Sequence, residues 1–125
     1  MQTLQQQRAK HALEKVRGLE ALRDGDKFKS RASELPFMIH VNGLGQAAAF
    51  FRSKSKDGYP ELSLVLSSWL CRPEQISQPG RTHPFAGKQD LMQAITECSL
   101  HDYRVAQAEA MQYMDWVKKF ANAYL

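Results

Sequence analysis

The chain has 125 residues, and its 17 lysine and arginine residues exceed its 13 aspartate and glutamate residues, which gives a formal net charge of +4. This length supports one hydrophobic core, so we expect a single domain over residues 1–125. The mild positive charge permits an anionic partner without requiring one. The polar N-terminus excludes a secretory signal, and no apolar run reaches the roughly 20 residues of a membrane span. We therefore expect a soluble, cytoplasmic protein with no membrane partner.

The N-terminal pattern predicts an amphipathic helix from Thr3 to about Arg23, with Thr3 as its N-cap. Leucine, alanine and valine recur at helical spacing on one side of it, and Arg8 flanks that apolar side. Gly25 is expected to end the helix, and a basic connection follows over Lys27–Ala32.

The stretch Ser33–Lys54 is interpreted as one helix around which the rest of the chain is organised. Its apolar residues cover nearly every side at helical spacing, which is typical of a helix buried among neighbours. Ser33 is the expected N-cap. Gly43 and Gly45 are expected to let a second backbone approach closely.

An alternative for the same stretch is a dinucleotide-binding turn, because Gly43–Ala48 fits the pattern G-x-G-x-x-A. That fold needs an acidic residue at the end of its second strand to hold the ribose, and Ser67, Ser68 and Trp69 stand there instead. No alternating strand and helix units follow. A nucleotide-binding enzyme is therefore the weakest interpretation, and we expect no cofactor.

The remainder of the chain predicts further helices around one long connection. A short helix is expected over Tyr59–Cys71, a long loop at about 73–87, and another short helix over Lys88–Glu97. The last helix is expected to start at Ser99 and to run close to Leu125. Together these elements predict an all-α fold, a compact bundle of five or six helices around a buried central helix.

The sequence offers no constellation of residues typical of a catalytic site. His40 falls inside the central helix, where a hydrogen-bonded core histidine is the simplest interpretation. Cys98 and His101 are close enough in sequence to share a metal, but a zinc site needs three or four ligands and no second cluster has the required spacing. We expect no catalytic residues and no metal site.

Basic residues are more informative by position than by number. Arg52 and Lys54 lie where the central helix is expected to end, and Arg104, Lys118 and Lys119 lie along the last helix. Cations at helix C-termini suit the helix dipole without any ligand, which explains a single cluster. Several clusters on one small helical body favour a track for phosphates, without base reading.

Two blocks of sequence carry a resemblance to a known family. The first is Leu35–Phe51, LPFMIHVNGLGQAAAFF, and the second is Glu109–Ala121, EAMQYMDWVKKFA; Arg8-Ala9 precedes both in the matching order. These blocks resemble the small subunit of the Cmr effector complex, the type III-B CRISPR ribonucleoprotein. The resemblance extends over almost the whole chain.

The resemblance implies a small, all-helical, non-catalytic subunit that stacks as a short filament. Its implied partners are the backbone subunits that hold the guide RNA, the large subunit, further copies of itself, and guide RNA paired with target RNA. The expected RNA-phosphate contacts are Arg8, Arg52, Lys54, Arg104, Lys118 and Lys119. The alternative is a helical adaptor that oligomerises through protein contacts alone, with its basic residues merely solvated.

Overall fold

The computed structural model describes residues 2–21, 25–73 and 83–125. Within these ranges the chain forms helices and no strands, which confirms the predicted all-α class. None of the helices in these described ranges is long and apolar enough to cross a membrane. The helices are α1 (Leu4–Arg17), α2 (Gly25–Asn42), α3 (Leu44–Arg52), α4 (Tyr59–Leu70), α5 (Leu91–Glu97) and α6 (Leu100–Tyr124).

The first helix starts where the sequence predicts and ends earlier. The hydroxyl of Thr3 accepts a hydrogen bond from the Gln6 amide at 3.1 Å, and the Gln6 side chain accepts one from the Thr3 amide at 2.9 Å. This reciprocal pair satisfies two amides that the first turn leaves free. The predicted end near Arg23 is wrong, because the chain leaves α1 after Arg17 and tightens into a turn from Gly18 onward.

The predicted single helix over Ser33–Lys54 is wrong, since the chain forms two helices there. Gly43 separates α2 from α3, and its φ of +86° lies in a region that side-chain-bearing residues rarely adopt. The first of the two helices begins at Gly25, so Ser33 and Pro36 both lie inside it. Helical periodicity continues through Gly43 in the sequence, and periodicity alone carries no information about a local reversal of φ.

The last helix supplies the cap that α3 lacks. The amide of Leu44 donates to the Gln107 side chain, and the amide of Gly45 donates to the Tyr103 hydroxyl, each at 2.8 Å. A Cβ built on Gly43 would lie 3.0 Å from that hydroxyl oxygen. The close approach expected at these glycines is therefore made by side chains of α6 rather than by a second backbone. The same hydrogen bonds occupy amides that a bound pyrophosphate would need.

The helices share one hydrophobic core. Helix α6 lies against α1 and α2, while α3 lies against α2, α4 and α5. The inward side of α4 is buried in this core, and each of its residues is at most 5% exposed: Leu62, Val65, Leu66 and Trp69. The four largest fully buried side chains are aromatic, and the last of them lies outside the helices: Tyr113, Phe28, Phe51 and Phe85.

The stretch predicted to be buried on all sides instead exposes part of its apolar surface. Phe37 is 70% exposed and Val41 is 59% exposed, both on α2, and Phe50 on α3 is also exposed. His40 is exposed as well, so its predicted place in the core is wrong. The cause is the position of α2 and α3 in the bundle, where neighbouring helices cover only one of their faces.

The segment after α4 is described only at its two ends, since residues 74–82 of the predicted loop lie outside the described ranges. The amide of Gly87 donates to the Arg72 carbonyl at 3.0 Å and Phe85 is buried, so residues 83–87 are anchored to the core. The next helix begins at Leu91 rather than Lys88, because the Asp90 side chain caps it.

Candidate nucleic-acid interface

Five of the six predicted phosphate contacts have exposed side chains, and they form two groups, one where α3 ends and one on α6. The first group, the α3 pair, consists of Arg52 and Lys54 at the end of α3. The second group, the α6 trio, consists of Arg104, Lys118 and Lys119. The structure thus brings the α3 pair together and places the α6 trio along another helix.

The α3 pair lies at one side of an open groove between α3 and α4, here called the α3–α4 groove. The Arg52 guanidinium is 58% exposed and its Nη1 lies 3.0 Å from Oδ1 of Asp90. The ammonium of Lys54 lies 4.8 Å from the centre of the Phe50 ring. The groove has a volume of about 400 Å³ and is also lined by Pro60, Ser63, Leu64, Ser67, Gln89 and Leu91.

The α6 trio extends along the outer surface of the last helix. Arg104 and Lys118 are exposed and have no hydrogen-bond or ion-pair partner among the described residues. Lys119 lies 2.9 Å from Asp115, one turn earlier, in a pair whose members are both mostly exposed. At about 1.5 Å per residue, Arg104 and Lys118 stand about 21 Å apart on nearly the same side of the helix. A polyanion running along α6 can contact both ends of the trio.

The sixth predicted residue, Arg8, lies inside the protein instead. Its Nε and Nη2 atoms donate to the two carboxylate oxygens of Glu109 at 2.6 and 2.9 Å. The indole of Trp69 donates to the same carboxylate at 2.9 Å. Burial alone would raise the pKa of Glu109, but the hydrogen bonds from Arg8 and Trp69 hold that pKa below its ordinary value. Glu109 therefore neutralises Arg8, whose role as a phosphate contact stays a prediction.

The pair belongs to a polar cluster that the sequence patterns do not single out. Arg72 is 8% exposed, and its guanidinium carbon lies 3.5 Å from the centre of the Trp69 ring. Its Nη1 donates to the Trp69 carbonyl, while its Nη2 has no hydrogen-bond partner among the described residues. Burial lowers the pKa of Arg72 to about 10. The one sequence signal for the cluster is Arg8 itself, a charged residue beside the apolar side of α1.

A histidine and a tyrosine complete this cluster. Nδ1 of His11 lies 2.7 Å from the Tyr113 hydroxyl, and the Tyr113 ring stacks on Trp69 with 5.2 Å between ring centres. Burial, followed by the positive charges of Lys15 and Arg72, lowers the pKa of His11 to about 4. Burial also raises the pKa of Tyr113. Each of these shifts favours the neutral form, which suits a structural cluster inside the bundle.

The described residues contain no group of three or more histidine, cysteine, aspartate or glutamate side chains arranged to hold a metal ion. Cys98, which the sequence places near His101, directs its thiol to the carbonyl of Ile95 at 3.3 Å.

Comparison with known proteins gives a consistent result across the chain. A sequence model of the family described as CRISPR-associated protein (Cas_Cmr5) matches residues 4–124. The chain is 27% identical over 125 residues to the CRISPR system Cmr subunit Cmr5 of Thermus thermophilus, in a match that covers all of this chain and 98% of that relative. The crystal structure of a CRISPR-associated Cmr5 family protein from the same organism superposes with a TM-score of 0.80 at 28% identity, covering 100% of this chain and 99% of the other.

Proposed function

We propose that this chain, which belongs to the Cmr5 family of CRISPR-associated proteins, is the non-catalytic small subunit of a type III-B Cmr ribonucleoprotein that helps to hold guide RNA paired with target RNA. The family confirms the resemblance drawn from the two sequence blocks. In this proposal the chain supplies a scaffold and positive charge, while other subunits cleave RNA.

The RNA-binding part of the proposal is supported by the exposure of five of the predicted cations on the protein surface. The α3 pair and the α6 trio are exposed on helices that the core holds in place, and two of the five, Arg104 and Lys118, have no partner among the described residues. Cations of this kind contact phosphates regardless of base sequence. That property suits a subunit that must accept any guide.

We also propose that the exposed apolar part of α2 contacts other protein subunits. This surface, here called the α2 patch, consists of Phe37 and Val41. The two side chains are one helical turn apart and are 70 and 59% exposed. Exposed apolar residues that adjoin one another mark protein interaction surfaces more often than isolated ones do. Neighbouring backbone subunits or a second copy of the chain would cover them in a stacked filament.

The test is the salt dependence of target-RNA binding by the purified complex, assembled with and without this chain. Each phosphate contact contributes about 0.7 to 0.9 to the slope of log affinity against log salt concentration. We expect a shallower slope without the chain. With the chain present, the double variant Lys118→Gln/Lys119→Gln should reduce the slope by up to about 1.4 to 1.8, provided that both lysines contact phosphates.

The second candidate is the adaptor that binds only protein, which the α2 patch favours. An adaptor would keep the complex assembled while leaving the salt slope unchanged when its cations are neutralised. If the complex lacking this chain binds target RNA with the same affinity and slope as the complete complex, the RNA-holding function is wrong and the adaptor stands.

A further inference from the structure

We propose that the α3–α4 groove is a binding site for the RNA backbone that accommodates one phosphate–ribose unit of a strand passing through it. This inference rests on the proposed function and goes beyond it by assigning a site, with Arg52 and Lys54 for the phosphate and the neutral polar side chains opposite them for the ribose and phosphate oxygens.

The charge of the groove is the first argument. Among the described residues, its lining includes two cations and no carboxylate. In the described part of the chain, the anion joined to the α3 pair is Asp90, whose Oδ1 accepts from both Arg52 and the Met92 amide. Among the described residues, Nε and Nη2 of Arg52 have no partner, so the guanidinium keeps donors for a phosphate. Lys54 adds a second positive charge on the same side.

The neutral side chains of the groove are the second argument. Ser63 and Ser67 are one turn apart on α4 and both line the groove. Neither hydroxyl makes a hydrogen bond within the described part of the chain, and neither does the amide of the exposed Gln89. Hydroxyl and amide groups both donate and accept, so they suit a ribose hydroxyl as well as phosphate oxygens. The groove thus offers two kinds of contact along the same sugar–phosphate chain.

The positive charge of the α3–α4 groove is not shared by the neighbouring groove. The groove between α1 and α4 has a volume of about 360 Å³ and is lined by Glu14, Lys15 and Glu61, with Gly18, Leu19 and Val65. Leu64, which is 72% exposed, lines both grooves and stands as a ridge between them. Two carboxylates against one ammonium repel a polyanion, so RNA that reaches this ridge is directed into the α3–α4 groove.

The size of the groove sets what it can hold. A volume of about 400 Å³ lies at the lower end of the range for small-molecule sites and is too small for a duplex. Leu64 forms an apolar edge that can pack against the carbon atoms of a ribose. With one apolar edge and one cationic side, the groove fits a short stretch of backbone whose bases remain outside.

The test uses the reconstituted complex, a target RNA complementary to its guide, and variants of two kinds. Arg52→Gln/Lys54→Gln removes both cations from the single phosphate, so it should lower the salt slope by about 0.7 to 0.9. Ser63→Ala/Ser67→Ala changes no charge, so it should weaken binding by about 2- to 12-fold per lost hydrogen bond while leaving the slope unchanged. The matched control is Lys15→Gln in the neighbouring groove, which should leave both quantities unchanged.

Direct contact is tested by a photo-crosslinking amino acid at Leu64, with the same residue at Phe37 as the control. Both positions are about equally exposed, and Phe37 lies on a different helix. We expect RNA adducts from position 64 and none from position 37. Unchanged affinity in both double variants, with no RNA adduct at position 64, would overturn the proposal that the α3–α4 groove binds RNA. If omitting the chain still weakens RNA binding in that case, the proposed function survives. If omitting the chain has no effect, both proposals are wrong.

Discussion

Arg8 and Glu109 are 101 residues apart in sequence and form a two-point ion pair that joins α1 to α6. Their side chains are only 14 and 11% exposed, so the pair lies largely out of solvent. Glu109 also accepts a hydrogen bond from the indole of Trp69. Burial lowers the pKa of Arg72, and the negative charge of Glu109 raises it and so partly offsets that effect. One carboxylate therefore compensates polar groups of α1, of α4 and of the segment that follows α4.

We predict that Glu109→Gln destabilises the protein by about 3 to 5 kcal/mol, because it leaves a largely buried guanidinium without a counter-charge. Urea unfolding of the isolated chain measures the change. The double variant Arg8→Met/Glu109→Met should lose much less than the two single variants added together, since no unpaired charge remains. Additive losses would show that the two side chains act independently. The control is Lys119→Gln, which breaks an exposed pair and should cost under about 1 kcal/mol.

The pH dependence of stability provides the second prediction, through His11. Its pKa is about 4 in the folded protein against 6.5 for the free side chain. Between these values the unfolded chain binds a proton that the folded chain does not, so the free energy of unfolding falls as the pH is lowered from about 6.5 to about 4. Below that range His11 contributes no further change. The pKa of His83 is also lowered by burial, which adds a loss in the same direction.

His11→Gln should flatten the fall in stability between pH 6.5 and about 4, measured by urea unfolding at closely spaced pH values. A His11→Gln profile that retains the full slope would mean that His11 is not the group that takes up the proton.

The Arg8–Glu109 pair is a contact between helices that the sequence alone does not predict. Helical spacing alone indicates which side of the last helix faces the core, and six residues on that side are buried: Ala106, Ala110, Tyr113, Met114, Val117 and Ala121. Tyr124 has the same spacing but is 45% exposed at the end of the helix. Spacing does not identify partners across the bundle. Arg8 is recognisable in the sequence as a flanking residue, yet the carboxylate that neutralises it comes from a helix that packs beside α1 only after folding.

The break between α2 and α3 has the same origin. Its sequence signal is a glycine, but Gly45 two residues later gives the same signal and lies within a helix. The two glycines differ in their tertiary surroundings, because the Tyr103 hydroxyl and the side-chain carbonyl of Gln107 accept from the first amides of α3, directly after Gly43. The exposure of the α2 patch could not be predicted either, because it depends on which faces the neighbouring helices leave uncovered.

The third prediction concerns Gly43. Gly43→Ala should destabilise the protein by about 2 kcal/mol or more, because its φ of +86° is strained for alanine and the new Cβ would lie 3.0 Å from the Tyr103 hydroxyl oxygen. Gly87→Ala separates the two causes. Its φ is +75° and, apart from its chain neighbours, no atom of the described residues lies within 4 Å of the new Cβ, so it should cost only about 1 to 2 kcal/mol. Equal losses in thermal unfolding would show that contact with Tyr103 contributes nothing.

The last prediction separates protein contacts from RNA contacts. Phe37→Ser/Val41→Ser replaces two exposed side chains of the α2 patch, so it should leave the thermal unfolding midpoint of the isolated chain within a few degrees of the natural value. In the assembled complex we expect fewer copies of the chain per complex, measured by native mass spectrometry, because the apolar contact is lost. Ser33→Ala on the same helix is the control and should incorporate normally. Full incorporation of the double variant would assign the contacts between subunits to another surface. If the fully incorporated variant also lost target-RNA binding, the α2 patch would face RNA instead.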